Sequence, residues 1–279
     1  MGNRQLEALL ECGFCRIEQI LDRPFIDRLQ RAADAILEAQ TEEERQRRMA
    51  QGSMVRTTHM EDPVFGELIV WPRTLEVLAE MGFTQPTFTD GYIISKPAHS
   101  PALFWHYDWF AWGDPSAYEA KPPQVALMYY ISDTSPANGC LRVIPGSHVT
   151  HNPLHDLLSN PHSEELSRVR DSSRPEFSIR PDEVDVPVNA GDLLVVDARL
   201  LHASHPNGTA KRRTLFTLWF QPELERLPDR VKAQMVKKTH PLPSTWPPEL
   251  RARVERLHPR YDGPAEPYGR ILYQRKPAG

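Results

Sequence analysis

Apolar and polar positions change period along this chain, and the change divides it into three parts. Near the start, Gln5 to Glu11 reads as a short helix, and Gly13-Phe14-Cys15-Arg16-Ile17 as a short strand over Phe14–Ile17. Asp22-Arg23-Pro24 then supplies an N-cap and an early proline. Ile26, Leu29, Ala33, Ile36 and Leu37 follow at helical spacing, which predicts an amphipathic helix over 24–40. Thr41 with Glu44 forms a capping box that opens a second, strongly charged helix to about Met49. Residues 51–65 are irregular, and Glu67 to Met81 is helical with an interruption near Pro72.

From Thr87 the period shortens. Segments 87–95, 103–112, 124–132, 140–144, 176–180, 184–188, 193–197 and 213–220 all have strand composition. Turn residues separate many of them, among them Asn138-Gly139, Pro145-Gly146-Ser147 and Asn207-Gly208. Many short strands between turns predict a mainly β fold with flanking helices, as a sandwich, jelly roll or barrel. Residues 149–173 form a polar insertion, read as a loop with a short helix around Glu164–Arg168. After Pro222 the strand pattern stops, and Leu227–Lys238 and Pro248–Leu257 read as helices before a tail rich in Pro and Gly. The expected organisation is one domain over 1–279: a helical N-terminal part (about 1–86), a β core (about 87–221) and a helical C-terminal cap (222–279).

Composition narrows the classes. With 33 basic and 37 acidic residues the net charge is −4, which argues against a surface built for nucleic acid or anionic membrane. No apolar run approaches the roughly 20 residues of a membrane span. Met1 to Gln5 leads into polar sequence without a signal-peptide core, and Leu6 stands where myristoylation wants Ser or Thr. A cytoplasmic location is expected. Three cysteines without a framework fit a reducing compartment. Cys12-Gly13-Phe14-Cys15 has no second pair and no neighbouring βαβ pattern, so it reads as structural.

The chemistry concentrates in Phe104-Trp105-His106-Tyr107-Asp108-Trp109-Phe110-Ala111-Trp112, which holds six aromatic residues in nine positions. On a strand, His106 and Asp108 share one face while Trp105, Tyr107 and Trp109 take the other. An imidazole and a carboxylate on one face are two ligands of a chelate that needs a third. His202 and His205 are the candidates. His202 extends the apolar strand Leu193–Val196 through Leu201, whereas His205 precedes the Pro206-Asn207-Gly208 turn, so His202 is preferred. Two His and one carboxylate with open positions suit non-haem Fe(II). Zinc hydrolases use similar sets, commonly with H-E-x-x-H on one helix, and this chain lacks that motif. The competitor His59-Met60-Glu61 looks like a solvated loop. In Lys211-Arg212-Arg213-Thr214, one guanidinium faces a barrel interior and can pair with a carboxylate.

Together, His106-x-Asp108, Asn138-Gly139-Cys140-Leu141-Arg142-Val143-Ile144-Pro145-Gly146-Ser147-His148, Gly191-Asp192, His202-x-Ser204-x-x-Asn207 and Arg213 resemble the phytanoyl-CoA dioxygenase family. Gly13-Phe14 and Ser95-Lys96-Pro97 extend the resemblance over about residues 10–221. It implies a double-stranded β-helix (jelly roll, cupin-like) and an Fe(II)- and 2-oxoglutarate-dependent dioxygenase using O2. His106, Asp108 and His202 would hold the iron. Arg213 would hold the distal carboxylate of 2-oxoglutarate, Ser204 would assist, and Tyr92 stands where relatives contact the cosubstrate with a different residue type. Met128 stands where some relatives have tryptophan, and His148 reads as structural. Related halogenases have Ala or Gly in place of Asp108, so its presence implies oxygen transfer. The implied reaction is hydroxylation of a C–H bond in a small organic substrate, with release of succinate and CO2.

The substrate stays open in the sequence. Trp105, Trp109, Phe110, Trp112 and Trp219 line a pocket or, for most of them, fill the core, and Trp112 shares parity with His106 and Asp108. His155, Arg168 and Arg170 are polar candidates in the insertion, more simply read as solvated. The rival readings are a cupin-like metal hydrolase and a non-catalytic binding protein for a metal or small molecule.

Overall fold

Two antiparallel sheets face each other because the chain alternates its inward and outward residues strand by strand. In the computed structural model, residues 2–46, 53–56, 61–158, 160, 166 and 173–275 are described. The strands are β1 (Phe14–Ile17), β2 (Ser53–Arg56), β3 (Thr87–Lys96), β4 (Leu103–His106), β5 (Val125–Tyr130), β6 (Leu141–Val143), β7 (Val184–Val186), β8 (Leu193–Asp197), β9 (His202–Ser204) and β10 (Arg213–Gln221). The large sheet runs β1-β8-β5-β10-β3-β2 and the small one β4-β9-β6-β7. This is the double-stranded β-helix, a jelly roll of cupin type.

Period 2 assigns each face of the large sheet. Leu127, Tyr129, Leu193, Val195, Phe216, Leu218 and Phe220 pack outward in one core cluster with the helices. Those helices are α1 (Gly2–Cys12), α2 (Arg23–Glu38), α4 (Val64–Ile69), α5 (Pro72–Glu80) and α7 (Pro248–Glu255), while the short α3 spans Glu42–Gln46. Ala126, Met128, Tyr130, Leu194, Val196 and Leu215 point the other way, into the space between the sheets. Both faces are covered, so β5 is buried at all six positions and shows no polar alternation. α6 (Asp229–Lys238) packs on β3 and adds Val231 and Met235 to the cluster that holds Trp105, Tyr107, Trp109, Phe110 and Trp112.

The helix starts follow the local signals. The Phe25 N–H donates to Asp22 Oδ1 at 2.8 Å, and Thr41 and Glu44 exchange the two bonds of a capping box.

Several expectations need correction. The strand expected over 103–112 ends at His106, and residues beyond it are held by other means. Segment 176–180 is not a strand. It starts as a single 3-10 turn over Pro175–Phe177. β8 does not run on to His202. It ends at Asp197, and a turn separates it from β9. The interruption expected near Pro72 is present, dividing that helical stretch into α4 and α5, although α4 already starts at Val64. The large sheet also reaches outside 87–221, since it takes in β1 and β2. His59 and Met60, and Arg168 and Arg170 with most of the helix expected around them, lie outside the described residues.

The break between β8 and β9 has a physical cause in one buried ion pair. Arg199 Nη2 lies 2.6 Å from Asp197 Oδ2, with both side chains shielded from solvent. Its Nη1 donates to the carbonyls of Ala117 (3.1 Å) and Glu119 (2.6 Å). The pair therefore ties the 114–119 segment to the turn that leads into His202. Arg199→Ala strands a carboxylate in the interior, and we expect a loss of roughly 3 kcal/mol, read by urea denaturation. The double variant Asp197→Leu/Arg199→Met should recover much of it, because no lone charge is left buried.

Candidate active site

β9 carries three residues, His202-Ala203-Ser204, and its alternation decides their roles. Ala203 packs into the outer aromatic cluster, so His202 and Ser204 face the space between the sheets. The antiparallel register sets His106 of β4 opposite His202. Asp108 is no longer in a strand, but two bonds hold it in reach: the N–H groups of Asp108 and Trp109 both donate to the Ala198 carbonyl, at 2.8 and 2.7 Å. The extended chain thus keeps Asp108 on the side of His106.

His106, Asp108 and His202 present ligand atoms that all lie within 4.8 Å of one another. His202 Nε2 is 3.3 Å from one Asp108 oxygen, and His106 Nε2 is 3.9 Å from the other. Each ring is oriented by a backbone carbonyl two residues earlier: His106 Nδ1 is 3.0 Å from Phe104 O, and His202 Nδ1 is 2.9 Å from Leu200 O. A carbonyl only accepts, so each Nδ1 donates to it, which leaves both Nε2 atoms facing the carboxylate. That tautomer is the one a metal ligand needs. Ser147 supports the approach, since its Oγ accepts from the Leu201 N–H at 3.0 Å.

A cavity of about 90 Å³ opens beside the triad. Its walls come from β3 (Tyr92, Ile94), Leu103, β5 (Met128, Tyr130), Leu141, Ser204 and β10 (Arg213, Leu215, Thr217, Trp219). Parity on β10 separates the two arginines: Arg213 is buried in the cavity wall and Arg212 is exposed. Arg213 Nη2 donates to the Gly139 carbonyl at 2.9 Å, while its Nε and Nη1 are buried with no hydrogen-bond partner among the described residues. Burial holds this guanidinium below its usual pKa. Gly139 itself is needed at φ +91°, where a Cβ would come within 2.6 Å of Lys96 Cδ. Thr217 Oγ1, on the same wall, also lacks a partner among the described residues.

The other expected residues fall as follows. Tyr92 lines the cavity and its hydroxyl donates to Asp90 Oδ2 at 3.0 Å. His205 points away and pairs with Asp185 at 2.6 Å. His148 is structural, its Nε2 lying 3.0 Å from the Leu10 carbonyl on α1. Asn207 is also structural, its amide donating to the carbonyls of Lys96, Pro97 and Lys211. Trp219 is in the cavity wall, but Trp105, Trp109, Phe110 and Trp112 are core. Cys15 is buried in the helical core, which pushes its thiol up to about 12.

His155 is not a solvated loop residue. It stacks on Tyr273 with centroids 3.9 Å apart and is buried beside Tyr107 and Trp112. Burial lowers its pKa from 6.5 to about 4. Between those values the unfolded chain binds a proton that the folded chain refuses, so stability is lost as pH falls through this window. Chemical denaturation from pH 7 to 4 should show that decline, and His155→Gln should flatten it.

Sequence reasoning missed Lys96, Lys238 and Arg270. Lys96 is buried beside Arg213, and burial followed by that neighbouring charge lowers its pKa to about 7. Arg270 lies in the Pro/Gly-rich tail, where the short apolar stretch Ile271-Leu272-Tyr273 was the one available signal.

The comparisons with known proteins agree with this arrangement. The sequence model described as Phytanoyl-CoA dioxygenase (PhyH) matches residues 9–215. A phytanoyl-CoA dioxygenase domain-containing protein 1 homolog of Dictyostelium discoideum is 30% identical over 96 residues, 34% of each chain. Phytanoyl-CoA dioxygenase 1 of Oryza sativa subsp. japonica is 26% identical over 151 residues, 53% of this chain and 50% of that protein. The chain thus spans half or less of the length of these curated relatives. The crystal structure of EctD from S. alaskensis with 2-oxoglutarate and 5-hydroxyectoine shares the fold, at a TM-score of 0.60 and 21% identity over 90% of this chain and 86% of that one. On the match over residues 9–215, the chain belongs to the phytanoyl-CoA dioxygenase family.

Proposed function

We propose that the chain is an Fe(II)- and 2-oxoglutarate-dependent oxygenase that hydroxylates a C–H bond of a small organic substrate. The observation that carries this reading is Arg213. A buried guanidinium with two unpartnered N–H groups, in the wall of the cavity that holds the triad, is costly unless a ligand completes it. A carboxylate fits that need through two parallel charge-assisted hydrogen bonds. The triad fits a divalent metal independently, through two neutral imidazoles and one carboxylate on one side.

In this reading His106, Asp108 and His202 hold the iron. Arg213 and Ser204 hold the distal carboxylate of 2-oxoglutarate, and Tyr92 forms part of the wall. When bound, iron and cosubstrate supply the oxidising chemistry: substrate C–H, O2 and 2-oxoglutarate become the hydroxylated product, succinate and CO2. The chain contributes orientation and exclusion of water. Ile94, Leu103, Met128, Leu141 and Leu215 make the walls around the triad apolar, which strengthens each charge interaction inside.

Anaerobic titration of the metal-free protein with Fe(II) and then 2-oxoglutarate tests the reading. A weak visible charge-transfer band at one equivalent of each, with succinate formed on admitting O2, is the expected result. Tight zinc binding with no such band would sink it in favour of a hydrolase or a binding protein.

A further inference from the structure

The tail of the chain brings a second arginine to the site. The Ile271 N–H donates to the Phe110 carbonyl at 2.7 Å, and Ile271 forms a parallel bridge with Ala111. This pairing sets Arg270 beside Asp108. Its Nη2 lies 3.4 Å from the Asp108 carbonyl oxygen, and its Nη1 is buried with no hydrogen-bond partner among the described residues. The last turn of α6 brings Lys238 to the same place, with Nζ 4.1 Å from the centroid of the Phe110 ring.

Neither cation has a carboxylate within ion-pair distance among the described residues. The acidic groups that face them are Asp108 and Asp90. Asp108 turns its two oxygens to His202 and His106, and Asp90 accepts from the Gly91 N–H and the Tyr92 hydroxyl. The two cations also face each other, and burial first, then Arg270, holds Lys238 down to about 8. Two like charges held together in a half-buried place are unfavourable without a shared anion. Arg213 is no part of this pair, since its neighbours are Tyr130, Cys140 and Lys96, whereas those of Arg270 are Asp108, Tyr107 and Lys238.

We propose that Arg270 and Lys238 bind a carboxylate on the substrate, placing the rest of that molecule over the iron triad. The inference rests on the oxygenase reading and deepens it, by naming a small carboxylic acid as the substrate class. The guanidinium supplies the unpartnered Nη1–H for one carboxylate oxygen, and the ammonium meets the other.

The test uses the full chain loaded anaerobically with Fe(II) and 2-oxoglutarate. The probes are matched pairs of acid and primary amide: hexanoate with hexanamide, phenylacetate with phenylacetamide, and N-acetyl-leucine with its amide. Two quantities are read, the shift of the charge-transfer band on adding each probe, and succinate formation once O2 is admitted. Acids should shift the band and raise succinate formation several-fold, and their amides should not. Arg270→Leu and, separately, Lys238→Met should each weaken the acids by about 10-fold or more, as loss of a charge-assisted bond implies. Acids and amides acting alike, no acid acting, or both variants responding like the unaltered protein would overturn the proposal while the band itself stands. Absence of the band from the unaltered protein would instead bring down the oxygenase reading, and this inference with it.

Discussion

Replacing Arg213 with Leu should raise the 2-oxoglutarate concentration for half-maximal succinate formation by roughly 100-fold or more. Two charge-assisted hydrogen bonds at about 1.5–3 kcal/mol each set that scale. The same variant should be no less stable than the parent when no cosubstrate is present. Among the described residues, Arg213 is buried, shows no ion pair and makes one backbone bond, to Gly139, so its removal takes an uncompensated cation out of the interior. Arg213→Lys should fall between the two, because an ammonium restores the charge but not the paired geometry. Saturation curves for 2-oxoglutarate and thermal melts of the metal-free protein separate the two effects. A stability loss of several kcal/mol with unchanged cosubstrate affinity would make Arg213 a structural residue and remove the strongest support for the functional reading.

What the sequence revealed about the site followed from period 2, which survives local irregularity. His106 and Asp108 share a side even though the strand ends between them, because an extended chain keeps alternating after its ladder bonds stop. Parity alone allowed only one of Arg212 and Arg213 to face the interior. The choice of Arg213, like that of Ser204, came from the family resemblance, and the structure has Arg213 in the cavity wall and Arg212 exposed. The aromatic run was harder to read. Trp105 and Tyr107 face the outer cluster by alternation, but Phe110 and Trp112 join it as well because α6 and the tail cover them. Parity therefore misplaced Trp112, which meets Tyr273 and not the cavity. The turn between β8 and β9 was hidden because Leu200 and Leu201 are apolar on either reading, and Arg199, usually a surface residue, is fully buried by its pairing with Asp197. Arg270 was out of reach for a different reason. Its place depends on a backbone pairing between Ile271 and Phe110, 161 positions apart in the chain, and no local pattern encodes such a contact.

Asp108→Ala should abolish 2-oxoglutarate turnover, a loss of more than about 1,000-fold in succinate formation, since the several kcal/mol contributed by a correctly held metal go with it. The substitution is clean in structural terms. Asp108 is positioned by its backbone N–H on Ala198, a bond that alanine keeps, and among the described residues its side chain is hydrogen-bonded to no backbone group. Folding should therefore be little affected, and equilibrium dialysis should show iron bound far more weakly to two remaining imidazoles. Asp108→Asn keeps the shape but removes the charge, and should lose most of the metal affinity too. The space left by alanine suits a small free carboxylate, so added formate should restore part of the charge-transfer band in Asp108→Ala and none in His202→Ala. Iron bound at one equivalent by Asp108→Ala, with full activity, would remove Asp108 from the metal site. Formate rescue that appears equally in His202→Ala would show that the anion binds elsewhere.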